Sequence, residues 1–308
     1  MSFGNAKTIL KEAIAGNYAV AAFNVNSLDS VIATIRGAEK ENAPIYLQIH
    51  KMCEDYVGDV DTYLKALRIY IENSSARIVL HHDHCSSFEE IKQAVDRGFD
   101  SVMFDGSSLP FEENIAQTAR AAEYAHSHGI MLEAELGSIP SMEATSFTSG
   151  DRFTDPGLVR RFIDETKCDL LAVSAGTAHG GVRCESHLPF YFDRLKEICS
   201  AAPGFPFVLH GGASIPQRLI EHVNSWGGRV DEKMHICSED DIARACSMGI
   251  CKVNMDVDNW MAFTAGVRQA LAERPEVYDP MTYLKEGRQN WEDEVRHKIR
   301  NLKKYSNV

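Results

Sequence analysis

In this 308-residue chain, polar residues of metal-binding or acid–base type follow nearly every short apolar run. In order they are Asn24, His50, Asp83 with His84, Asp105, Glu133 with Glu135, His179, His210, and Asn254 with Asp256. Three histidines on three separate runs, His84, His179 and His210, suit one Zn2+ that keeps a coordination position open. Asp105 and Glu135 have the chemistry to orient those rings or to take a second metal. Gly176-Thr-Ala-His-Gly180 and Leu209-His-Gly-Gly-Ala-Ser214 set histidine beside glycine, so a ligand can sit next to backbone N–H groups that approach an anion closely. Taken singly, each residue has a plainer reading. A histidine after a strand is more often a hydrogen-bonded structural residue, and His81 and His82 read that way. Glu133 and Glu135 share one strand face and read equally well as ion-pair members. His126, His128, His222, His235 and His297 fall on helices or polar loops and read as solvated. Only their combined placement points to a metal.

The elements that must hold these residues alternate along the chain. Strand-like runs are Tyr18–Phe23, Pro44–Ile49, Arg77–Leu80, Ser101–Phe104, Met131–Leu136, Leu170–Val173, Phe207–Leu209 and Ile250–Val253. Amphipathic stretches separate them: Ser30–Glu41, Asp59–Asn73, Ser87–Arg97, Phe111–His128, Asp155–Thr166, Tyr191–Ser200 and Ser238–Met248. Within them apolar residues recur at helical spacing, as do Ile91, Ala94 and Val95. Eight such units predict a (β/α)8 TIM barrel, whose active site lies at the C-terminal ends of the strands, where the polar residues fall. A doubly wound open sheet is the alternative, but no glycine-rich dinucleotide fingerprint follows the first strand. No linker composition interrupts the pattern, so residues 1–308 read as one domain, with extra C-terminal helical sequence at 280–308 that could cover the barrel or meet another subunit. Gly137–Thr154 and Gly176–Pro189 exceed ordinary connection lengths and read as lids or binding loops.

Composition narrows the class. Hydrophobic residues make up 44% and charged residues 25%, which supplies a large core. Lys and Arg number 32 against 44 Asp and Glu, a net charge of −12. That balance argues against a nucleic-acid or membrane-surface binder. The eight cysteines are scattered without a C-x-x-C pair. No apolar stretch approaches the roughly 20 residues of a spanning helix, and the first residues lack a signal-peptide core. A reduced, cytoplasmic, soluble protein is the expectation.

Eight segments together carry a family resemblance. Phe23-Asn24, His81-His-Asp-His84, Ser101-Val-Met-Phe-Asp105, Pro110-Phe-Glu-Glu-Asn114, Glu133-Ala-Glu-Leu-Gly137, Gly176-Thr-Ala-His-Gly180, Leu209-His-Gly-Gly212 and Lys252-Val-Asn-Met-Asp256 resemble, in order and over nearly the whole chain, class II zinc-dependent ketose-bisphosphate aldolases such as fructose- and tagatose-bisphosphate aldolases. The resemblance implies a (β/α)8 barrel acting as a homodimer or homotetramer on a small sugar phosphate. It implies that His84, His179 and His210 are the catalytic zinc ligands, and that Asp105 and Glu135 hold the metal in an alternative outer position. It makes Asp83 the proton shuttle for the hydroxyl at the bond being broken, and Glu143 the group handling the proton on the nucleophile carbon. Gly180, the stretch Gly211, Gly212 and Ala213, and the stretch Asn254, Met255, Asp256 and Val257 match the dihydroxyacetone-phosphate site, which a monovalent cation often completes. Asn24 and His50, at strand ends, are expected as further substrate contacts. The chemistry is coherent: cleaving the carbon–carbon bond leaves a carbanion beside a ketone, whose charge a cation stabilises, while carboxylates move the two protons. No lysine Schiff base is required, and Lys252 is given no such role.

The departures concentrate at one end of the substrate. Family members grip the far phosphate with a serine and two arginines, and the corresponding positions here are His50, Trp260 and Met281. Losing two arginines removes bidentate, charge-assisted contacts. Near the first phosphate the usual serine and threonine are Ala213 and Val257, with Ser214 one residue on as a substitute. The loop reads Met142-Glu143-Ala144 where the family has a glycine before a Glu-Asp pair. Three readings follow: an aldolase on a ketose monophosphate rather than fructose 1,6-bisphosphate; a bisphosphate aldolase with replaced distal contacts such as His50 and Arg288; and a barrel metal hydrolase or inactive binding homologue.

Overall fold

Eight parallel strands close into a barrel in this computed structural model, which describes residues 6–139, 153–180, 182–183 and 187–307. The barrel strands are β1 (Val20–Asn24), β2 (Ile45–His50), β3 (Ile78–Cys85), β4 (Ser101–Phe104), β5 (Met131–Leu136), β6 (Leu170–Val173), β8 (Phe207–Leu209) and β10 (Ile250–Met255). The short strands β7 (Val182–Arg183) and β9 (Met234–His235) pair antiparallel outside it. Around the barrel run α1 (Ala6–Gly16), α2 (Leu28–Lys40), α3 (Lys51–Val57), α4 (Val60–Glu72), α5 (Phe88–Asp96) and α6 (Phe111–Ser127). The second half adds α7 (Pro156–Thr166), α8 (Phe192–Ala201), α9 (Gln217–Ser225), α10 (Glu239–Ser247), α11 (Val257–Glu273) and α12 (Pro280–Leu302). Closure comes from β1 pairing with β10, Val20 against Lys252.

The expected barrel is present, and its strands are buried on both faces, as a parallel sheet inside a ring of helices must be. Helices begin where the sequence supplies caps. Ser27 and Ser30 form a reciprocal box at α2, and Ser87 and Ser238 accept backbone N–H groups at α5 and α10. Asp155 and Asp279 do so before Pro156 and Pro280, which fit the first helical turn. α12 lies along α2, where the Trp291 indole N–H donates to Thr34 Oγ1 at 2.9 Å and Gly37 leaves room for Val295.

Inside the barrel, residues stack by the period of two. At the bottom Val20, Ala22, Tyr46, Val79, Met103, Leu170 and Val208 pack against Ile9, Leu10 and Ala13 of α1, which plugs that end. Above them sits a polar layer of His81, Glu133 and Lys252, all fully buried. The mouth carries the candidate site. Several elements went unread in the sequence: α1, α3, α9, α11, and the β7–β9 ribbon that occupies part of Gly176–Pro189. β3 also runs five residues past its expected end, through His81, His82, Asp83 and His84 to Cys85.

Candidate active site and metal centre

His84 owes its position to an irregularity in β3. Successive strand residues point to opposite faces, so His81 and Asp83 face inward while His82 turns out against Phe99. The β3–β4 register shifts between His82 and Cys85, and His84 takes a left-handed backbone at φ 54°. Such a bulge re-aims a side chain. Asp83 and His84 therefore both serve the mouth.

There the rings of His84, His179 and His210 lie 4.7–5.8 Å apart, and one ligand atom from each falls within 4.8 Å of the others. His84, Asp105 and Glu135 form a second set by the same measure. His84 Nδ1 is 2.8 Å from Asp105 Oδ2, which leaves Nε2 for the site. His210 Nε2 is 2.8 Å from Glu133 Oε1, and its buried Nδ1 has no hydrogen-bond partner. Glu135 Oε2, 3.5 Å from that Nδ1, is also buried without a partner. Orphaned buried polar atoms are costly unless a further group engages them. Two orphans converging beside three imidazoles fit a divalent cation.

The electrostatics agree. Burial lowers His179 to about 3, helped by the charges of His84 and His210, and burial likewise lowers His210, so both rings are neutral and ligand-ready at neutral pH. Burial also pulls on His84, but Asp83, Asp105 and Glu135 override it and lift the ring to about 10. Burial, then the charge of Asp105, raises Glu135 to about 8. Before a cation arrives, two protons therefore sit where its positive charge would go.

Asp83 is 3% exposed, and burial alone would raise it. The positive charge of His84 first, with that of Lys252, reverses that and holds it well below the usual carboxylate range. Asn24 Nδ2 donates to Oδ2 at 2.9 Å and Asn254 Nδ2 to Oδ1 at 3.1 Å, while Gln48 donates to Asn24 Oδ1 at 2.8 Å and fixes that amide. Asn24 and Asn254, expected as substrate contacts, thus also grip Asp83.

The other expected substrate contacts fall out unevenly. Gly180 (φ 74°) and Gly211 (φ 61°) flank two of the three histidines. At Gly211 a Cβ would lie 2.4 Å from the Ala178 carbonyl oxygen, so this backbone belongs to glycine. Gly212 donates its N–H to the Asn254 carbonyl at 2.9 Å, and Ala213 is buried beside it. His50 stands at the rim 5.9 Å from the His84 ring, with Nδ1 capping α3 through the Met52 N–H and burial lowering its pKa. Asp256 accepts the Val257 N–H at the start of α11, and burial raises it to about 6.

Two side-chain expectations are corrected. Ser214 does not offer its hydroxyl to the mouth, because that group is buried between Asp258 and Lys298. Met255 points outward into the barrel–helix core, as strand alternation after Asn254 requires, and leaves only backbone for a ligand. Glu143 lies outside the described residues. Glu133 and Lys252, joined at 2.8 Å, bear out the ion-pair reading, but Glu133 also holds His210. Gln48 and this second duty of Glu133 went unread, although counting back by two from His50 and Asn254 turns Gln48 and Lys252 inward. Among the histidines read as solvated, His126 pairs with Asp169 at 2.8 Å and His297 with Glu239 at 3.0 Å.

A closed parallel barrel whose mouth sets an ionised carboxylate beside a cation-ready histidine triad defines a metal-dependent barrel enzyme. Residues 4–307 match the family model described as fructose-bisphosphate aldolase class-II. A fructose-bisphosphate aldolase of Geobacillus stearothermophilus is 35% identical over 291 residues, covering 94% of this chain and 92% of the relative. One from Giardia intestinalis is 35% identical over 286 residues, covering 92% and 87%. The crystal structure of the YdjI aldolase from Escherichia coli K12 superposes with a TM-score of 0.76 at 25% identity over 97% of each chain. The chain belongs to the class-II fructose-bisphosphate aldolase family and is an aldolase, a lyase. Members of this class use a divalent metal, which the mouth residues fit.

Proposed function

We propose that the chain, acting as one domain, reversibly cleaves a ketose phosphate into dihydroxyacetone phosphate and an aldehyde, and that fructose 1,6-bisphosphate is not its best substrate. The observation that supports this most is Asp83, an ionised carboxylate held by two asparagines beside the three histidines. His84, His179 and His210 would hold Zn2+, with Asp105 and Glu135 as an outer set. When bound, its charge would stabilise the carbanion beside the ketone. Asp83 takes the proton of the hydroxyl at the bond being broken and returns it in the aldol direction. Glu143 is assigned the carbon proton. Gly180, Gly211 and Ala213 present backbone to the phosphate, which a monovalent cation completes. A cytoplasmic homodimer or homotetramer is the setting.

At the far end, His50 is pushed toward its neutral form and Trp260 and Met281 are partly or largely exposed to solvent. A second phosphate would find no bidentate, charge-assisted partners among those residues. Hydroxyls, a deoxy carbon or a carboxylate suit those residues better. The names of the matched relatives favour the second reading, a true bisphosphate aldolase, in which Arg288, itself paired with Asp29 of α2 at 3.5 Å, would have to supply the distal charge. Steady-state cleavage of matched ketose 1-phosphates and 1,6-bisphosphates tests the choice. We expect the higher kcat/KM for the monophosphate, and a clear preference for the bisphosphate overturns it. Loss of dihydroxyacetone-phosphate proton exchange on chelation separates either from a hydrolase or inactive homologue.

A further inference from the structure

Behind the glycine loop lies a buried ionic cluster that the proposed chemistry does not use. Asp258, in the first turn of α11 and 1% exposed, takes the backbone N–H groups of Ser214 at 2.9 Å and Ile215 at 2.8 Å. Ile215 is β-branched yet adopts φ 46°, a left-handed conformation that such residues avoid. Strain of this kind persists only where surrounding contacts impose it. The contact here is a carboxylate that receives both amides of the turn.

Lys298 of α12, 2% exposed, holds that carboxylate in place. Its ammonium lies 2.5 Å from Asp258 Oδ2, 2.8 Å from Ser214 Oγ and 2.7 Å from Glu239 of α10. Glu294 stands 3.7 Å away and is itself paired with Arg218 of α9, while His297 meets Glu239. Four helices therefore converge on a single turn. That turn directly continues Gly211, Gly212 and Ala213, and no polar side chain remains on that stretch to make up for a misplaced amide.

We infer that Asp258 and Lys298 are positioning residues for the phosphate end of the substrate, locking the Ser214–Ile215 turn so that the preceding glycine loop presents its backbone to a phosphate monoester. The inference rests on the reading of that loop as the phosphate site. It also gives Ser214 a role in place of the expected one: its hydroxyl serves the lock, not the ligand.

The test uses the metal-loaded full chain, with inorganic phosphate as the calorimetric probe and metal content and Tm measured alongside. Lys298→Met alone leaves Asp258 and Glu239 short of a counter-charge, so a fall in Tm is expected. The double variant Asp258→Asn/Lys298→Met removes one charge of each sign, leaves Glu239 to His297 and Arg218, and keeps the fold testable. We expect it to retain wild-type metal content while binding inorganic phosphate at least about tenfold more weakly, the scale of charged hydrogen bonds misaligned. Its kcat/KM ratio for a ketose 1-phosphate over the same ketose without phosphate should fall in parallel, with the loss mainly in KM. A folded double variant that binds phosphate like wild type overturns the inference alone. A wild-type chain that neither binds phosphate nor prefers the phosphorylated ketose overturns the phosphate-site reading beneath it.

Discussion

Glu133 Oε1 lies 2.8 Å from His210 Nε2, and the other carboxylate oxygen is 2.8 Å from Lys252 Nζ. Burial would raise Glu133, but Lys252 and His210 hold it down to about 2. An anion at that place fixes the proton of His210 on Nε2 and leaves Nδ1 facing the mouth. Glu133→Gln should therefore weaken divalent-metal binding on the order of 10–100-fold, as loss of a ligand's outer partner commonly does. Competition against a chromogenic chelator reads it, and unchanged affinity would show that the ring is oriented by something else.

Asp83→Ala should keep its metal and lose turnover on the order of 10²–10⁴-fold, the range for a positioned acid–base group. Metal analysis beside kinetics separates roles. A variant that loses metal but keeps its rate per bound metal would make Asp83 a ligand.

Metal loading should release protons. His84, lifted to about 10, and Glu135, lifted to about 8, are protonated at pH 7 and cannot use those sites until they deprotonate. Apparent affinity should therefore rise with pH across the neutral range, by about tenfold per pH unit for each proton released. Calorimetry in buffers of different ionisation enthalpy counts them, and a pH-independent affinity between 6 and 8 contradicts the assignment.

Gly211→Ala should cost about 1–3 kcal/mol of stability through its φ of 61°, and more where the new methyl meets the Ala178 carbonyl. The damage should extend to His179, the next residue along. Thermal unfolding and metal content measured together check both parts, and a variant equal to wild type in both would mean that the loop relaxes freely.

The glycine–histidine segments, the polar strand ends and the eight alternating units were legible in the sequence because each is a local pattern, of period two or of period near 3.6. What stayed hidden depends on register or on distant chain. Reading β3 as ending at Leu80 concealed the bulge that turns His84 inward. Ser214 looked available because its captors, Asp258 and Lys298, lie far along the sequence. Met255 was placed at the substrate by adjacency to Asn254, although alternation turns it outward. Glu133 was visible as an ion-pair member, but its second bond, to His210, could come only from barrel closure.

That closure sets an order of events in the cell. β1 finds one of its two neighbours only when β10 exists, since Val20 is laid against Lys252, and α2 meets its covering helix only when α12 follows. Until most of the chain has left the ribosome, the first strand has an open edge and α2 has an uncovered face, both suited to pairing with the wrong chain. Synthesis rather than the finished enzyme is then the vulnerable stage. A chain stopped before α12 would carry every metal-ligand candidate and still lack Lys298 and the cover over α2.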